Sequence, residues 1–269
     1  MARTSNKRAA VFTIVRDDPV WLRIWLRHYS QWFAANDIYI LDHQSQPEPV
    51  LQEIGQRVRV LPVFNDVYYP LQWLVDTVSA FQRYLLQSYD SVLYTDVDEL
   101  VFTRPGGAYR DLAHYIAGMT AAYSVCTGYE VVHKHEEEPP IDFDAVPLLA
   151  NRHWWYRTLT YSKPLLARQP LTWSKGFHKS QQTMGQYADE ELLLVHLHKI
   201  DYGYKVARAS ARAAYQFTAD PGDVRCVLQQ RYSTGSDLLT WWYQHIDWFP
   251  DFSHPQELVE IPEVVRAVI

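Results

Sequence analysis

The stretch Ser91–Phe102, SVLYTDVDELVF, constrains the fold and function of this chain more than any other. An apolar run with strand character, Val92–Thr95, leads directly into the carboxylates Asp96 and Asp98. Successive side chains of an extended chain point to opposite faces, so we expect these two carboxylates to share one side. Carboxylate oxygens at the carboxyl end of a buried strand suit Mg²⁺ or Mn²⁺. The stretch therefore predicts a metal site, although the D-x-D spacing also occurs in solvated turns.

Strand and helix patterns alternate over the first hundred residues. Such alternation predicts an α/β fold with a Rossmann-like, mostly parallel central sheet flanked by helices. The segment Val15–Pro19 contains no glycine, which excludes a dinucleotide-binding loop there. Asp18 has the character of a helix N-cap, and Pro19 that of a first helical residue. The predicted elements before the central stretch are strands at Val11–Val15, Asp37–Asp42 and Arg57–Val63, and helices from Pro19, at Pro47–Gly55 and at Leu71–Ser88.

The pattern changes after residue 106. His133–Pro140 is a charged loop, interpreted either as a solvated surface loop or as a flap over a site. If the run containing His196 and His198 is extended, the two imidazoles share a face that suits a metal; if it is helical, they do not. The remaining predicted elements are a helix at Tyr109–Ala117, a strand at Ala121–Thr127, a turn at Thr172–Ser180 and helices at Tyr202–Tyr215, Asp223–Tyr232 and Asp237–His245.

Composition narrows the classes of partner. The net charge is −6 and no long Lys/Arg run occurs, so nucleic acid is not an expected partner. The 10 Trp and 19 Tyr residues form either a Trp-rich core or a core in which some rings line a site for a sugar or another flat-faced ligand. Cys126 and Cys226 form no C-x-x-C pair and suit a reducing compartment. We expect no signal peptide and no transmembrane segment, hence a cytoplasmic protein that reaches any lipid-linked acceptor by peripheral contact with the inner face of the membrane.

Several stretches, in order, resemble glycosyltransferases of the GT-A fold. The nearest match is the family-2-like group, which also resembles the family-92 and domain-of-unknown-function glycosyltransferases. The resemblance covers roughly residues 10–205 and implies a GT-A catalytic domain at 1–205. That domain has a nucleotide-binding half at about 10–105 and an acceptor half at about 106–205, and residues 206–269 form a helical extension packed on it. The stretches that carry the resemblance are Val11–Leu26, His28-Tyr29, Tyr39–Ser45, Thr95–Leu100, Gly176–His178 and His196–His198.

The resemblance implies a metal-dependent, inverting hexosyltransferase. It would move a sugar from a nucleotide-sugar, in most relatives a UDP-sugar, to a glycan or glycolipid acceptor, as in polysaccharide biosynthesis. The cofactor is Mn²⁺ or Mg²⁺. The implied roles are nucleotide binding for Arg16, Asp17, Asp42 and Asp96; metal binding for Asp96, Asp98 and one of His196 and His198; and proton removal for one of Asp189, Glu190 and Glu191. The candidates for contacts to the diphosphate or donor are Lys163, His178 and Lys199, and the sequence leaves Lys175 and Lys179 open beside them.

The chain departs from the family pattern at two strand ends. Arg-Asp-Asp replaces Arg-Asn-Glu after the first predicted strand, and Asp-His-Gln-Ser replaces Asp-Asn-x-Ser after the second, so the nucleotide base and the donor stay open. The alternatives are a metal-dependent phosphohydrolase, since D-x-D also serves phosphoryl transfer, and a non-catalytic sugar-binding protein. A sugar-binding module would not explain carboxylates at successive strand ends.

Overall fold

A mixed β-sheet, ten-stranded within the described residues, runs through the protein and carries helices on its faces. The computed structural model describes residues 8–46, 54, 57–66, 71–212, 242 and 257–269. The strands are β1 Ala9–Val15, β2 Ile38–Asp42, β3 Arg59–Pro62, β4 Ser91–Tyr94, β5 Glu99–Thr103, β6 Tyr123–Val132, β7 Trp154–Arg157, β8 Pro164–Ala167, β9 Asp189–Lys199 and β10 Val259–Glu260. The α-helices are α1 Pro19–Tyr29, α2 Leu71–Leu85, α3 Leu112–Gly118, α4 Tyr202–Arg212 and α5 Glu263–Arg266.

The first four strands form a parallel sheet in the order β3-β2-β1-β4. This order confirms the parallel arrangement that the alternating sequence pattern predicts. The chain reverses direction across the sheet between β1 and β4, which is the topological switch point where open α/β sheets bind ligands. The ends of β1, β2 and β4 therefore lie at one edge, with Val15 opposite Asp42 and Phe12 opposite Tyr94 in the register.

The second half of the sheet is largely antiparallel, so the expectation of a mostly parallel sheet holds only for the first half. β8 pairs antiparallel with both β4 and β6, and β7 pairs antiparallel with β6. β9 lies between β6 and β5, parallel to the former and antiparallel to the latter. Loops rather than crossover helices join β6, β7 and β8, and they allow the chain to turn back directly.

Helix α1 anchors the chain on both sides of the carboxylate motif. The indole Nε1 of Trp25 donates to Thr95 Oγ1 (2.7 Å), just before the motif. His28 Nε2 lies 2.8 Å from the carbonyl oxygen of Val101, and the Tyr29 hydroxyl accepts from the Val101 N–H (2.9 Å), just after it. Burial lowers the pKa of His28 to about 4, so this imidazole stays neutral. The residues that resemble a family motif in α1 thus fix the position of the β4–β5 turn.

The C-terminal part contributes a strand as well as helices. β10 pairs antiparallel with β7 through Val259 and Trp155, and Ile261 and Ile269 join the core. Helix α4 begins at the predicted residue. The predicted helices Asp223–Tyr232, Asp237–His245 and Pro47–Gly55 lie outside the described residues, apart from Trp242 and Ile54. In the part of the chain that the structure covers, no helix is long and apolar enough to cross a membrane.

The loop at His133–Pro140 is anchored at His133 and Glu138, while Glu136, Glu137, Pro139 and Pro140 are exposed to solvent. Glu138 is buried, and its Oε1 accepts from the His153 N–H at 2.8 Å. The His133 ring is also buried, and the Trp242 indole donates to the His133 carbonyl oxygen (2.8 Å). These contacts hold both ends of the charged segment on the body of the protein.

Candidate metal site and its surroundings

Three side chains form a compact cluster at the carboxyl end of β9. One ligand atom each from Asp98, His196 and His198 lies within 4.8 Å of the others. His196 Nε2 is 3.9 Å from Asp98 Oδ1, and His198 Nδ1 is 3.9 Å from Asp98 Oδ2. β9 is extended, so both imidazoles lie on one face and Leu197 packs on the other. One carboxylate and two imidazoles are a donor set that a divalent transition metal accepts.

Glu130 orients the first of these imidazoles. Its Oε2 lies 2.7 Å from His196 Nδ1, and its Oε1 accepts from the Lys199 N–H at 3.2 Å. With Nδ1 held by Glu130, Nε2 is the ring atom of His196 that faces Asp98. Burial opposes a charged His196, but the carboxylates of Glu130, Asp98 and Glu99 together outweigh it and raise the pKa of the ring. A carboxylate behind a histidine in this way is the usual support of a metal-bound imidazole.

Asp96 does not join the cluster. β4 ends at Tyr94, and the chain turns at Val97 and Asp98, so the strand alternation expected for the D-x-D motif is wrong. Asp96 instead accepts from the Tyr94 hydroxyl (2.7 Å) and from Lys163 Nζ (3.0 Å). This places Asp96 beside the cluster, where it remains 30% exposed.

Lys163 is a buried counter-charge beneath the motif. Its Nζ lies 2.5 Å from a carboxylate oxygen of Glu99 as well as contacting Asp96. Burial raises the pKa of Glu99 to about 7, although Lys163 acts in the opposite sense. Burial opposes the charge of Lys163, but Asp96 and Glu99 outweigh it and raise its pKa. Lys163 therefore contacts two carboxylates of the motif, and its side chain is only 2% exposed.

The predicted nucleotide-binding residues Asp17 and Asp42 lie at the adjacent ends of β1 and β2. The Gln46 N–H donates to Asp17 Oδ1 (2.7 Å), and the Ser45 N–H donates to Asp42 Oδ1 (3.1 Å). Asp17 has φ of 51° and Gln44 has φ of 56°, a conformation that non-glycine residues rarely adopt. Strained backbone of this kind is typical of binding loops.

Arg16 lies at the same edge of the sheet. Its Nε is 3.9 Å from Asp17 Oδ2, and its side chain is 18% exposed. The structure thus brings three of the predicted nucleotide-binding residues, Arg16, Asp17 and Asp42, to the paired ends of β1 and β2.

Two cations of helix α4 also face the metal cluster. Lys205 Nζ contacts His198 Nε2. The guanidinium of Arg208 contacts Asp18 and lies 3.7 Å from Asp98 Oδ2. Asp18 therefore makes no side-chain capping bond to α1 and serves as a partner of α4 instead.

Tyr161 forms one wall of the cluster. Its ring stacks on His196 with 3.9 Å between centroids, and the His178 ring lies 5.9 Å from Tyr161 on a tilted plane. Gly128 permits this approach, since a Cβ atom there would lie 2.2 Å from the backbone carbonyl carbon of Tyr161. His178 is separated from the metal cluster by Tyr161, and its Nδ1 is 2.8 Å from the Thr160 carbonyl oxygen.

Lys199 lies on the opposite face of β9 from the two imidazoles. Its side chain is buried, and its Nζ is 5.6 Å from the ring centroid of Tyr156. The structure does not bring this lysine to the cluster, because odd- and even-numbered residues of an extended strand face opposite ways.

The three carboxylates predicted as catalytic bases lie at the other end of β9. Asp189 pairs with Cys126 and His196 with Glu130, four residues further along β6, which is roughly 13 Å at about 3.3 Å per residue. The Tyr115 hydroxyl donates to Asp189 Oδ2 at 2.6 Å. Asp189 and Tyr115 line a separate cleft of about 290 Å³. The structure thus separates Asp189 from the metal cluster.

Glu190 and Glu191 hold neighbouring loops. Glu190 forms ion pairs with Arg104 (2.9 Å) and with Arg157 (2.5 Å). Glu191 accepts from the Ala108 N–H at 2.6 Å. Both carboxylates thus lie at the amino end of β9 with partners of their own.

Sequence reasoning missed four residues around the cluster: Glu130, Asp18, Lys205 and Arg208. Glu130 is a single acid within the apolar run YEVV, and such an acid must find a partner when its strand is buried. Lys205 and Arg208 are three residues apart in a helix that directly follows the histidines. The signal at Glu130 becomes informative only once β6 and β9 are known to be neighbours. The signal at Lys205 and Arg208 becomes informative only once the helix is known to pack beside the histidines.

The fold and the cluster together define an α/β protein with a candidate site for a divalent cation at the switch point of its sheet. No family model matches the sequence, and no curated protein matches it significantly.

Proposed function

We propose that this protein is a metal-dependent glycosyltransferase of the GT-A type, which moves a sugar from a nucleotide-sugar to a glycan or glycolipid acceptor. The observation that supports it best is the cluster of Asp98, His196 and His198, beside the strand ends that carry Asp17 and Asp42. A cation and a nucleotide would thus bind side by side at the carboxyl edge of a parallel sheet. The stretches Val11–Leu26, Tyr39–Ser45, Thr95–Leu100 and His196–His198, which resemble glycosyltransferase motifs, contribute residues to this edge.

The donor set favours Mn²⁺ over Mg²⁺ as the cofactor. Mg²⁺ prefers oxygen ligands only, whereas imidazoles bind transition metals well. Asp98, His196 and His198 would hold the cation, with Glu130 behind His196. When bound, the cation stabilises the negative charge that builds on the diphosphate leaving group.

The residues of the chain then divide the remaining tasks. Asp42 and Asp17 would hold the nucleoside at the ends of β2 and β1, where backbone N–H groups already fix both carboxylates. Asp96 is exposed enough to contact the ribose, and Lys163 Nζ donates to its carboxylate at 3.0 Å. The carboxylates at the amino end of β9 take no part in this proposal, since they lie along the strand from the cluster.

A titration of UDP into the protein with and without Mn²⁺ tests the proposal. We expect binding that requires the metal and that weakens at least about tenfold in Asp98→Asn, because one of three protein ligands is lost. Asp76→Asn, on the exposed surface of α2, is the matched control and should bind like the wild type. Zn²⁺ and Fe²⁺ belong in the same series, since they also accept two imidazoles and a carboxylate.

The two alternatives give different results. A phosphohydrolase would release inorganic phosphate from phosphate esters and would show no transfer from any UDP-sugar. A sugar-binding protein would bind glycans while ignoring both UDP and metal. Metal-independent UDP binding that is unchanged in Asp98→Asn would refute the proposed site. If UDP binding does require the metal, a screen of UDP- and GDP-sugars for metal-dependent hydrolysis would identify the donor.

A further inference from the structure

The start of helix α4 is rigidly tied to the end of β9. Asp201 accepts from the Tyr204 N–H through Oδ1 (2.7 Å), and its Oδ2 contacts Arg152 Nη2 (3.2 Å). Arg152 is itself fully buried. These contacts hold the first turn of α4 close to His198, which lies three residues before Asp201 in the chain.

Lys205 and Arg208 project from this helix onto one site. Residues three apart lie on the same face of a helix. Lys205 Nζ contacts His198 Nε2, and Arg208 lies between Asp18 and the metal-ligand candidate Asp98. The Arg208 side chain is 12% exposed, and its Nε is shielded from solvent without a hydrogen-bond acceptor among the described residues. Two cations thus point at the place where a third, divalent cation would bind.

A metal ion conflicts with the contact that Lys205 makes. A charged lysine can only donate, so its contact occupies the lone pair of His198 Nε2 and leaves the proton of a neutral ring on Nδ1. Nδ1 is the atom that faces Asp98. For Nδ1 to bind a metal, the proton must lie on Nε2, and the Lys205 ammonium must move off that atom. Metal binding therefore releases Lys205.

The charge of Arg208 creates a second conflict. A divalent cation held by Asp98 would lie close to a guanidinium that is 3.7 Å from the same carboxylate. Like charges at such separations repel strongly in a site with little solvent. An anion placed between them removes the repulsion, and a phosphate group bridges a metal ion and a guanidinium well because it offers several acceptor oxygens.

We infer that Lys205 and Arg208 form the anion-binding half of this site and couple metal binding to the binding of a phosphate-bearing ligand. Without the anion, Arg208 competes with the metal for Asp98. With the anion, both cations of α4 hold it against the metal. Because coupling is reciprocal, the metal and the anion each raise the affinity of the other. The inference rests on the metal site of the proposed function but does not depend on sugar transfer.

Arg208→Gln should change two affinities in opposite directions. Mn²⁺ alone should bind at least about fivefold more tightly to this variant, since a competing charge is removed from Asp98. The preformed complex of Mn²⁺ with inorganic pyrophosphate should bind at least about tenfold more weakly, since the anion loses a bidentate partner. Calorimetric titration of each probe into wild type and variant measures both. Arg83→Gln, an exposed arginine on α2 with the same change of charge, should leave both affinities unchanged.

Further titrations show whether the phosphate groups of a ligand are what depends on Arg208. UDP with Mn²⁺ should depend on Arg208 as pyrophosphate does, whereas uridine, which lacks phosphate, should not. Lys205→Gln repeats the test with a smaller side chain in case Arg208→Gln does not fold. If Mn²⁺ binds equally to wild type and variant, or if both affinities shift in the same direction, the coupling is refuted while the metal site stands. If Mn²⁺ binds to neither protein, with or without pyrophosphate, the metal site and the coupling both fail.

Discussion

Replacing Glu130 by Gln tests whether the metal cluster is oriented by its neighbour. The carboxylate accepts from two donors, His196 Nδ1 at 2.7 Å and the Lys199 N–H at 3.2 Å. An amide has one oxygen and one NH₂ group, so a glutamine side chain at this position would satisfy one donor and turn its own N–H bonds toward the other. Either the His196 ring or the β9 backbone is then left without an acceptor.

The structure sets the size of the expected effect. Loss of a carboxylate behind a metal-bound histidine typically costs about 10- to 100-fold in metal affinity, which is roughly 1.4 to 2.7 kcal/mol. The unmatched donor is buried, so the free energy of unfolding should also fall by about 1 to 3 kcal/mol. We therefore expect Glu130→Gln to fold, with weaker Mn²⁺ binding and a lower unfolding free energy.

Glu138→Gln is the matched control for this experiment. Glu138 is also buried and accepts from a histidine, His153, through both its N–H (2.8 Å) and its Nδ1 (3.0 Å), but that histidine lies outside the metal cluster. The control should lose stability to a similar extent and keep the Mn²⁺ affinity of the wild type.

Calorimetric titration with Mn²⁺ and urea denaturation of the metal-free proteins measure the two quantities separately. If folded Glu130→Gln binds Mn²⁺ within about twofold of the wild type, the argument from orientation is wrong. The same conclusion follows if Glu138→Gln loses metal affinity equally, because the effect would then reflect general destabilisation.

Two further predictions concern residues outside the cluster. His28 is neutral in the folded protein with a pKa of about 4, below the ordinary value of 6.5, so its contribution to stability is complete above pH 6.5 and is lost as the pH falls toward 4. Between pH 7.5 and 5 this loss is about 2 kcal/mol, and His28→Gln should flatten that part of the profile of unfolding free energy against pH. An unchanged slope in urea denaturation of the variant would contradict it. Glu190→Gln should keep Mn²⁺ and UDP affinities within about twofold and lose under about 1 kcal/mol of stability, because its ion pairs with Arg104 and Arg157 are half-exposed. A tenfold loss of affinity would assign it a role at the site.

The alternation of apolar runs is enough to predict the first half of the sheet. The strands that end at Val15 and Asp42, and the helix that begins at Pro19, are found as the sequence predicts them. Local signals determine these elements, since each is short and bounded by turn residues. The shared face of His196 and His198 also follows from strand geometry once β9 is known to be extended.

The environment of the cluster depends on pairings between distant strands, which no local pattern encodes. Glu130 meets His196 because β6 and β9 pair in parallel, and the predicted strand at Ala121–Thr127 stopped before that residue. Asp189 and His196 pair with Cys126 and Glu130, which lie four residues apart on β6, so Asp189 is roughly 13 Å along the strand from the cluster at about 3.3 Å per residue. The role of one of Asp189, Glu190 and Glu191 as the base that removes the acceptor proton stays a prediction from the resemblance.

The length of β9 also determines where this sequence can change during evolution or engineering. Its side chains alternate between the cluster and the core, so inserting or deleting one residue between Leu192 and Val195 would exchange the faces of everything beyond. Leu197 would then face the cation site, and both imidazoles would enter the core. Added residues are tolerated far better in the loops that flank the strand. A library of single-residue insertions should therefore show a sharp gap across β9, bordered by permissive positions.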